Sequence, residues 1–238
     1  MKPIQIGNTK LGQGPVVCVV LQDSFSASTL STLKRAGVRM TELRLDQFRH
    51  FSLPKFAAKI ALLRCFGFSI LATIRHPKEG GHFRGSESKR QFLYQMVIPF
   101  VDAVDVEMGS VIFNDVLKEA KRQKKTVIAS YHNFKRTPAV SFLRRKMRRA
   151  KKKGASVVKL AVMMKNKTDF SVMLNFTNDY ANQNLITIGM GRAGTPSRTL
   201  FPFFGSLLTY GAVKRQSAPG QPTALSLAAQ LGLKKKLR

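Results

Sequence analysis

The chain has 238 residues, 44% of them hydrophobic, which is enough for one sizeable core and far from a disordered composition. Forty-one Lys and Arg stand against 12 Asp and Glu, a formal charge of +29 that favours anionic partners, either an acidic substrate or nucleic acid. The first fourteen residues contain no continuous apolar stretch of signal-peptide type, and the apolar runs are strand-length, so a soluble cytoplasmic protein is expected, with no membrane span.

Residues 4–11, with Gly7-Asn8 at the centre, read as a small β-hairpin. The first long strand covers 16–21 and is followed by a helix over 26–36 that Gly37 closes. Strand 40–46 leads to a helix over 55–65 beginning just after Pro54. Strand 69–75 precedes a helix from 87 to about 100, and strand 102–108 a helix ending near 123. The fifth strand, 126–132, is followed by a helix over 138–153 with Gly154 as its stop. Strand 156–163 pairs with a helix over 169–182, and strand 185–189 with a shorter helical piece after Pro196. Strand 206–212 and a helix over 223–231 complete the chain. Eight such units predict an α/β fold: a (β/α)8 TIM barrel, one domain over 1–238, with the hairpin closing the barrel floor. Cys18 and Cys65 both sit in apolar stretches and read as small core residues, not as a disulfide or a metal site.

Barrels of this kind do their chemistry at the C-terminal ends of the strands, so polar residues late in strand-like runs are the candidates. Glu42, Arg44 and Asp46 alternate with Leu43 and Leu45, which turns three charges inward. A self-contained Glu–Arg ion pair at the rim and a role in ligand binding are both open from this pattern. Arg75 closes the third strand ahead of Pro77-Lys78-Glu79-Gly80-Gly81, and His132 closes the fifth. Lys159 is embedded in an apolar strand, where lost hydration disfavours the ammonium and favours a nucleophilic amine. A strand-end His supplies a base suited to neutral pH. Residues 190–198 form a Gly-rich loop with Arg192 and Arg198; 217–221 form a turn with Ser217 and Gln221 as hydrogen-bonding groups. No nucleotide, phosphate or metal fingerprint is present. The basic runs 144–153 and 234–238 read either as solvated faces or as a nucleic-acid footprint.

ELRLD at 42–46, Arg75 with KEGG at 78–81, DVEM at 105–108, SYHNF at 130–134, VVKLAV at 157–162, MGRAGTPSR at 190–198 and SAPGQ at 217–221 run over nearly the whole chain. In this order they resemble the type I 3-dehydroquinate dehydratases, a family of Schiff-base-forming lyases. The resemblance implies conversion of 3-dehydroquinate to 3-dehydroshikimate and water in the shikimate pathway of aromatic amino acid biosynthesis, with no cofactor and no metal. It further implies Lys159 as the imine-forming residue, His132 as proton donor and acceptor, and Glu79 as the group that orients His132. Arg198 then grips the substrate carboxylate; Glu42, Arg44 and Arg75 bind ring hydroxyls; Met190 packs on the ring; Ser217 and Gln221 close the site; and Glu107 supports it from beneath. A small-molecule substrate and a homodimer follow from the same resemblance, and specific nucleic-acid binding does not. The SAPGQ turn and the Arg198 loop argue against another imine-forming barrel such as an aldolase. Two features depart from the family: Asn133, where an acidic residue is expected, and the large positive charge.

Overall fold

The computed structural model describes residues 4–213 and 219–233. Strands β1 (Ile4–Ile6) and β2 (Thr9–Leu11) form an antiparallel hairpin. The remaining strands are all parallel: β3 (Val17–Leu21), β4 (Met40–Arg44), β5 (Ser69–Thr73), β6 (Ala103–Glu107), β7 (Thr126–Asn133), β8 (Val157–Met163), β9 (Leu185–Met190) and β10 (Thr209–Ala212). Their order in the sheet is β10-β3-β4-β5-β6-β7-β8-β9. A parallel bridge between Leu185 and Ser206, with the Leu207 amide donating to the Leu185 carbonyl at 2.8 Å, joins the two edges into a barrel.

Between the strands run α1 (Ala27–Arg35), α2 (Leu53–Cys65), α3 (Glu87–Val97), α4 (Phe113–Arg122), α5 (Val140–Lys153), α6 (Lys167–Asp179), the short α7 (Ser197–Leu200) and α8 (Ala224–Gln230). Ser26, Ser86, Asn166 and Thr223 cap α1, α3, α6 and α8 by accepting a backbone N–H, which places each helix start. Gly154 ends α5 in the left-handed conformation, as the sequence predicts.

Several predicted ends are shortened by local chemistry. Strand β4 stops at Arg44 because residues Leu45–Gln47 turn into a 3-10 segment, and β5 stops at Thr73. The helix expected to reach 100 ends at Val97, where Pro99 leads into a 3-10 turn over Ile98–Phe100. The helix expected to reach 182 ends at Asp179, and Asn184 adopts a left-handed backbone before β9. Cys65 is exposed, contrary to the reading from its apolar neighbours: Phe56, Ile60 and Leu63 mark the buried stripe of α2, and Cys65 lies off it. Cys18 is buried as expected.

Alternation along the strands divides the interior into two layers. Leu43, Leu45, Val104, Val106, Val158 and Leu160 point outward into the apolar shell shared with the helices. Inside the barrel, Ile6 and Leu11 of the hairpin close the floor against Cys18, Met40, Leu71, Ala103, Ile128 and Val157. Thr9 Oγ1 and Ser69 Oγ lie 2.8 Å apart, and the Asn8 amide donates to Ser69 Oγ at 3.1 Å, so the hairpin is held at the N-terminal end of β5. Each fully buried aliphatic side chain contributes about 1.5–3 kcal/mol. Above this dry floor the inward positions become polar.

Candidate active site

The polar layer begins with strand-end charges that satisfy one another. Arg44 forks onto Asp46, with Nε to Oδ1 at 2.9 Å and Nη2 to Oδ2 at 2.8 Å. Of the two readings open for these charges, a rim ion pair does form, but between Arg44 and Asp46, closed locally by the turn after β4. Glu42 instead accepts from Thr73 Oγ1 at 2.6 Å. Arg75, just beyond β5, donates to Asp105 at 2.7 Å, to Glu107 at 2.9 Å and to Ser130 Oγ at 2.7 Å. Glu107 also receives the His76 amide and the fully buried Arg90, which makes it the anionic hinge between two guanidinium groups. Isolated charges would be costly at this depth; paired and hydrogen-bonded, they form a rigid base for the site.

Lys159 rises from β8 into this layer. Its Nζ lies 3.0 Å from Asp105 Oδ2 and 4.2 Å from the centroid of the Tyr210 ring. A carboxylate and an aromatic face are therefore its immediate neighbours. Arg75 and Lys159 outweigh burial at Asp105 and hold that carboxyl below the usual range. On the adjacent strand, His132 stands two residues beyond Ser130, the register partner of Lys159. Both the His132 amide and its Nδ1 lie 2.9 Å from Glu79 Oε2. Burial lowers the imidazole pKa well below its ordinary value, with Arg75 and Lys159 acting in the same direction. Burial pushes the Glu79 carboxyl up to about 7, against the pull of Arg75.

Glycines let the loop bearing Glu79 pack this closely. Gly80 has φ +79°, and a Cβ there would run into the Phe134 ring; a Cβ on Gly81 would overlap the Arg75 carbonyl. Phe134 in turn lies nearly parallel to the His132 ring, at 17° with centroids 6.4 Å apart. Asn133 fastens the loop: its Oδ1 accepts the Lys135 and Arg136 amides, and its Nδ2 donates to the Tyr131 hydroxyl.

Across the mouth, Ser197 Oγ accepts the Gly189 amide and donates to the Gly194 carbonyl, folding the loop after β9 back over the barrel. This places Arg198 at 2% exposure, with Nη1 3.4 Å from the Tyr210 carbonyl and with Nε and Nη2 lacking any partner among the described residues. Burial lowers its pKa to about 10. A buried cation with two donors unpaired among the described residues has the chemical character of an anion receptor.

Glu42, Arg44, Arg75, Glu79, His132, Lys159, Met190, Arg198 and Gln221 line one cavity at the C-terminal mouth. Ser217, the remaining candidate, lies outside the described residues. Glu107 is joined to this cavity through Arg75. A wider cleft between the turn after β4 and the loop before α3 is lined by Phe48, Phe51 and Phe83 and shares only Asp46 with this network. Sequence reasoning missed Asp105 as the Lys159 partner, although it shares an inward face with Glu107 by simple alternation. It also missed Tyr210, which only the barrel register brings against Lys159.

A (β/α)8 barrel whose mouth concentrates a lysine, a carboxylate-linked histidine and an anion-seeking arginine is built as an enzyme of that fold class. Residues 16–238 match the family model described as type I 3-dehydroquinase, and the chain belongs to this family of hydro-lyases. It is 35% identical over 207 residues to the 3-dehydroquinate dehydratase of Thermodesulfovibrio yellowstonii, covering 87% of this chain and 90% of the relative. It is 36% identical over 229 residues to that of Methanosarcina barkeri, covering 92% and 94%. The crystal structure of the Geobacillus kaustophilus 3-dehydroquinate dehydratase superposes with a TM-score of 0.85 at 28% identity, over 100% of this chain and 98% of that one. The Clostridium difficile type I enzyme, crystallised with covalently modified comenic acid, gives a TM-score of 0.86 at 29% identity, with 99% of each chain covered. Among the described residues, no helix is long and apolar enough to cross a membrane.

Proposed function

We propose that this enzyme converts 3-dehydroquinate to 3-dehydroshikimate and water through an imine on Lys159, in the shikimate pathway of aromatic amino acid biosynthesis. The observation that carries the reading is the placement of Lys159 against Asp105, in one cavity with the His132–Glu79 pair and with Arg198, whose Nε and Nη2 lack a partner among the described residues. The amine of Lys159 attacks the ring ketone and, with loss of water, forms a protonated imine. Asp105, 3.0 Å from Nζ, is the counter-charge for that cation. With Glu79 ionised, Nδ1–H of His132 donates to it, and the free Nε2 lone pair takes the proton from the carbon next to the imine. The electron pair left on carbon expels the neighbouring hydroxyl, which takes the proton back from Nε2 and leaves as water. Hydrolysis of the conjugated imine then releases the enone and restores Lys159.

Arg198 fits the substrate carboxylate because its Nε and Nη2 are buried without partners among the described residues and present a two-pronged donor. Arg44, Arg75 and Glu42 bind ring hydroxyls, Met190 packs on the ring, and Gln221 with Ser217 closes the site. One barrel domain over residues 1–238 suffices for this chemistry, which needs neither metal nor cofactor, and family resemblance supports a cytoplasmic homodimer. The test is addition of 3-dehydroquinate to protein prepared without metal or cofactor, following the ultraviolet absorbance of the conjugated product. A rise supports the assignment; no rise from folded protein refutes it.

A further inference from the structure

The proposed reaction involves an acidic small molecule at the barrel mouth and leaves unexplained where most of the positive charge resides. Among the twelve acidic residues, Glu42, Asp46, Glu79, Asp105 and Glu107 are consumed inside the site network, and Glu87 is tied to Arg90 beside it. Helix α5 retains none. Its sequence VSFLRRKMRRAKKK carries eight cations, and among the described residues no ion pair involves any of them.

The exposed residues Arg144, Arg148 and Lys152 form one ridge at intervals of four, and Arg145, Arg149 and Lys153 form another beside it. At about 1.5 Å rise per residue each ridge sets three cations along about 12 Å of axis. Like charges at this spacing weaken a helix, and an ordinary solvated face relieves them with acids. The neighbouring helices do so: α4 has Asp115 and Glu119, and α6 has Asp169 and Asp179. Lys121, near the end of α4, adjoins Gly154 and extends the cationic surface past the C-terminus of α5.

The form of the ridges selects among polyanions. Leu143, Met147 and Ala150 face the barrel, and Phe142 is capped by Arg145 and Lys146 at 5.9 and 5.6 Å from its ring centroid. Apart from Val140 in the first turn, α5 therefore offers no exposed apolar side chain of the kind an interfacial helix sinks into a bilayer. The inner face of α5 is tied to the barrel, and its outer ridges are long cationic side chains, the groups that contact phosphate. We propose that the outer face of α5 is a docking surface for nucleic acid, engaged through the sugar-phosphate backbone without sequence selection.

Fluorescence anisotropy of a labelled 20-nucleotide single-stranded RNA with the full chain, over a series of salt concentrations, tests this. Contact with four to six phosphates gives a log–log salt slope of about −3 to −4, so affinity falls roughly a hundredfold between 50 and 200 mM salt. R144Q/R145Q/R148Q/R149Q is expected to weaken binding at least tenfold and bring the slope to between about 0 and −1, at about 0.7 for each phosphate no longer neutralised. The control R35Q/R39Q/R49Q/K55Q removes the same charge from exposed positions around α1 and α2 across the barrel, and is expected to change affinity less than threefold. Both variants lie outside the site, so retained turnover certifies their fold; R148Q/R149Q repeats the test at half the effect if the quadruple variant misfolds. Equal weakening by the two quadruple variants would show bulk charge and overturn the proposal. So would salt-sensitive binding to anionic phospholipid vesicles in preference to RNA.

Discussion

Replacing Arg198 by Met is expected to make the free enzyme more stable while it weakens substrate binding. The guanidinium is 2% exposed, and two of its three nitrogens find no partner among the described residues. A pKa brought down to about 10 by burial means that its charged form is disfavoured in the fold by about 3 kcal/mol, at about 1.4 kcal/mol per pH unit. The sign is that of a buried base: the penalty is present in full at pH 7 and shrinks only as pH rises past the folded-state value of about 10. Met keeps much of the side-chain length without the charge, so up to about 3 kcal/mol is recovered. For a chain of this size, with about 2–4 °C per kcal/mol, the melting temperature rises by about 6–12 °C at most. Binding moves the other way, because removing one partner of a buried charged pair costs about 2–5 kcal/mol, which raises KM by about 30-fold or more. Thermal melting without substrate and steady-state kinetics read the two effects separately. A lower melting temperature with an unchanged KM would refute the reasoning on both counts.

Glu79→Gln is expected to alter the pH dependence more than the fold. With the carboxyl titrating near 7, wild-type turnover falls as pH drops through that value, since protonated Glu79 donates to His132 Nδ1 and leaves the proton on Nε2. In the variant the limb near pH 7 disappears and kcat drops by about a hundredfold or more; an unchanged profile would contradict the assigned pairing. Glu107→Gln leaves Arg75 and Arg90 buried with one anion fewer, so urea unfolding is expected to show a loss of about 3–5 kcal/mol, and an unmoved midpoint would oppose this. Gly81→Ala forces the loop with Glu79 off the Arg75 carbonyl, whereas Gly109→Ala meets open space. The first is expected to lower kcat at least tenfold and the second to leave it unchanged; equal kinetics in the two would count against a tightly set loop.

The barrel was legible because each strand and helix is a local pattern: apolar alternation for the strands, caps and Gly or Pro stops for the helices. Alternation also exposed the inward charges, since Glu42, Arg44 and Asp46 alternate with Leu43 and Leu45. It could not name their partners. Arg44 meets Asp46 through a turn that breaks the strand period, and Lys159 meets Asp105 across 54 residues of chain. Partners at that distance depend on barrel closure and register, which no single segment encodes. Tyr210 shows the same limit, sitting on a four-residue strand whose inward face is set by its neighbour β3. Cys65 failed for another reason: an apolar neighbourhood does not give a residue's angular position on a helix.

The covalent role proposed for Lys159 is tested most directly by borohydride reduction during turnover of 3-dehydroquinate, followed by mass analysis of the intact and digested protein. The expected result is loss of activity with one substrate-derived adduct, mapped to Lys159 and absent from Lys159→Met. Full activity after reduction, an adduct on another lysine, or near-normal turnover by folded Lys159→Met would contradict the imine mechanism.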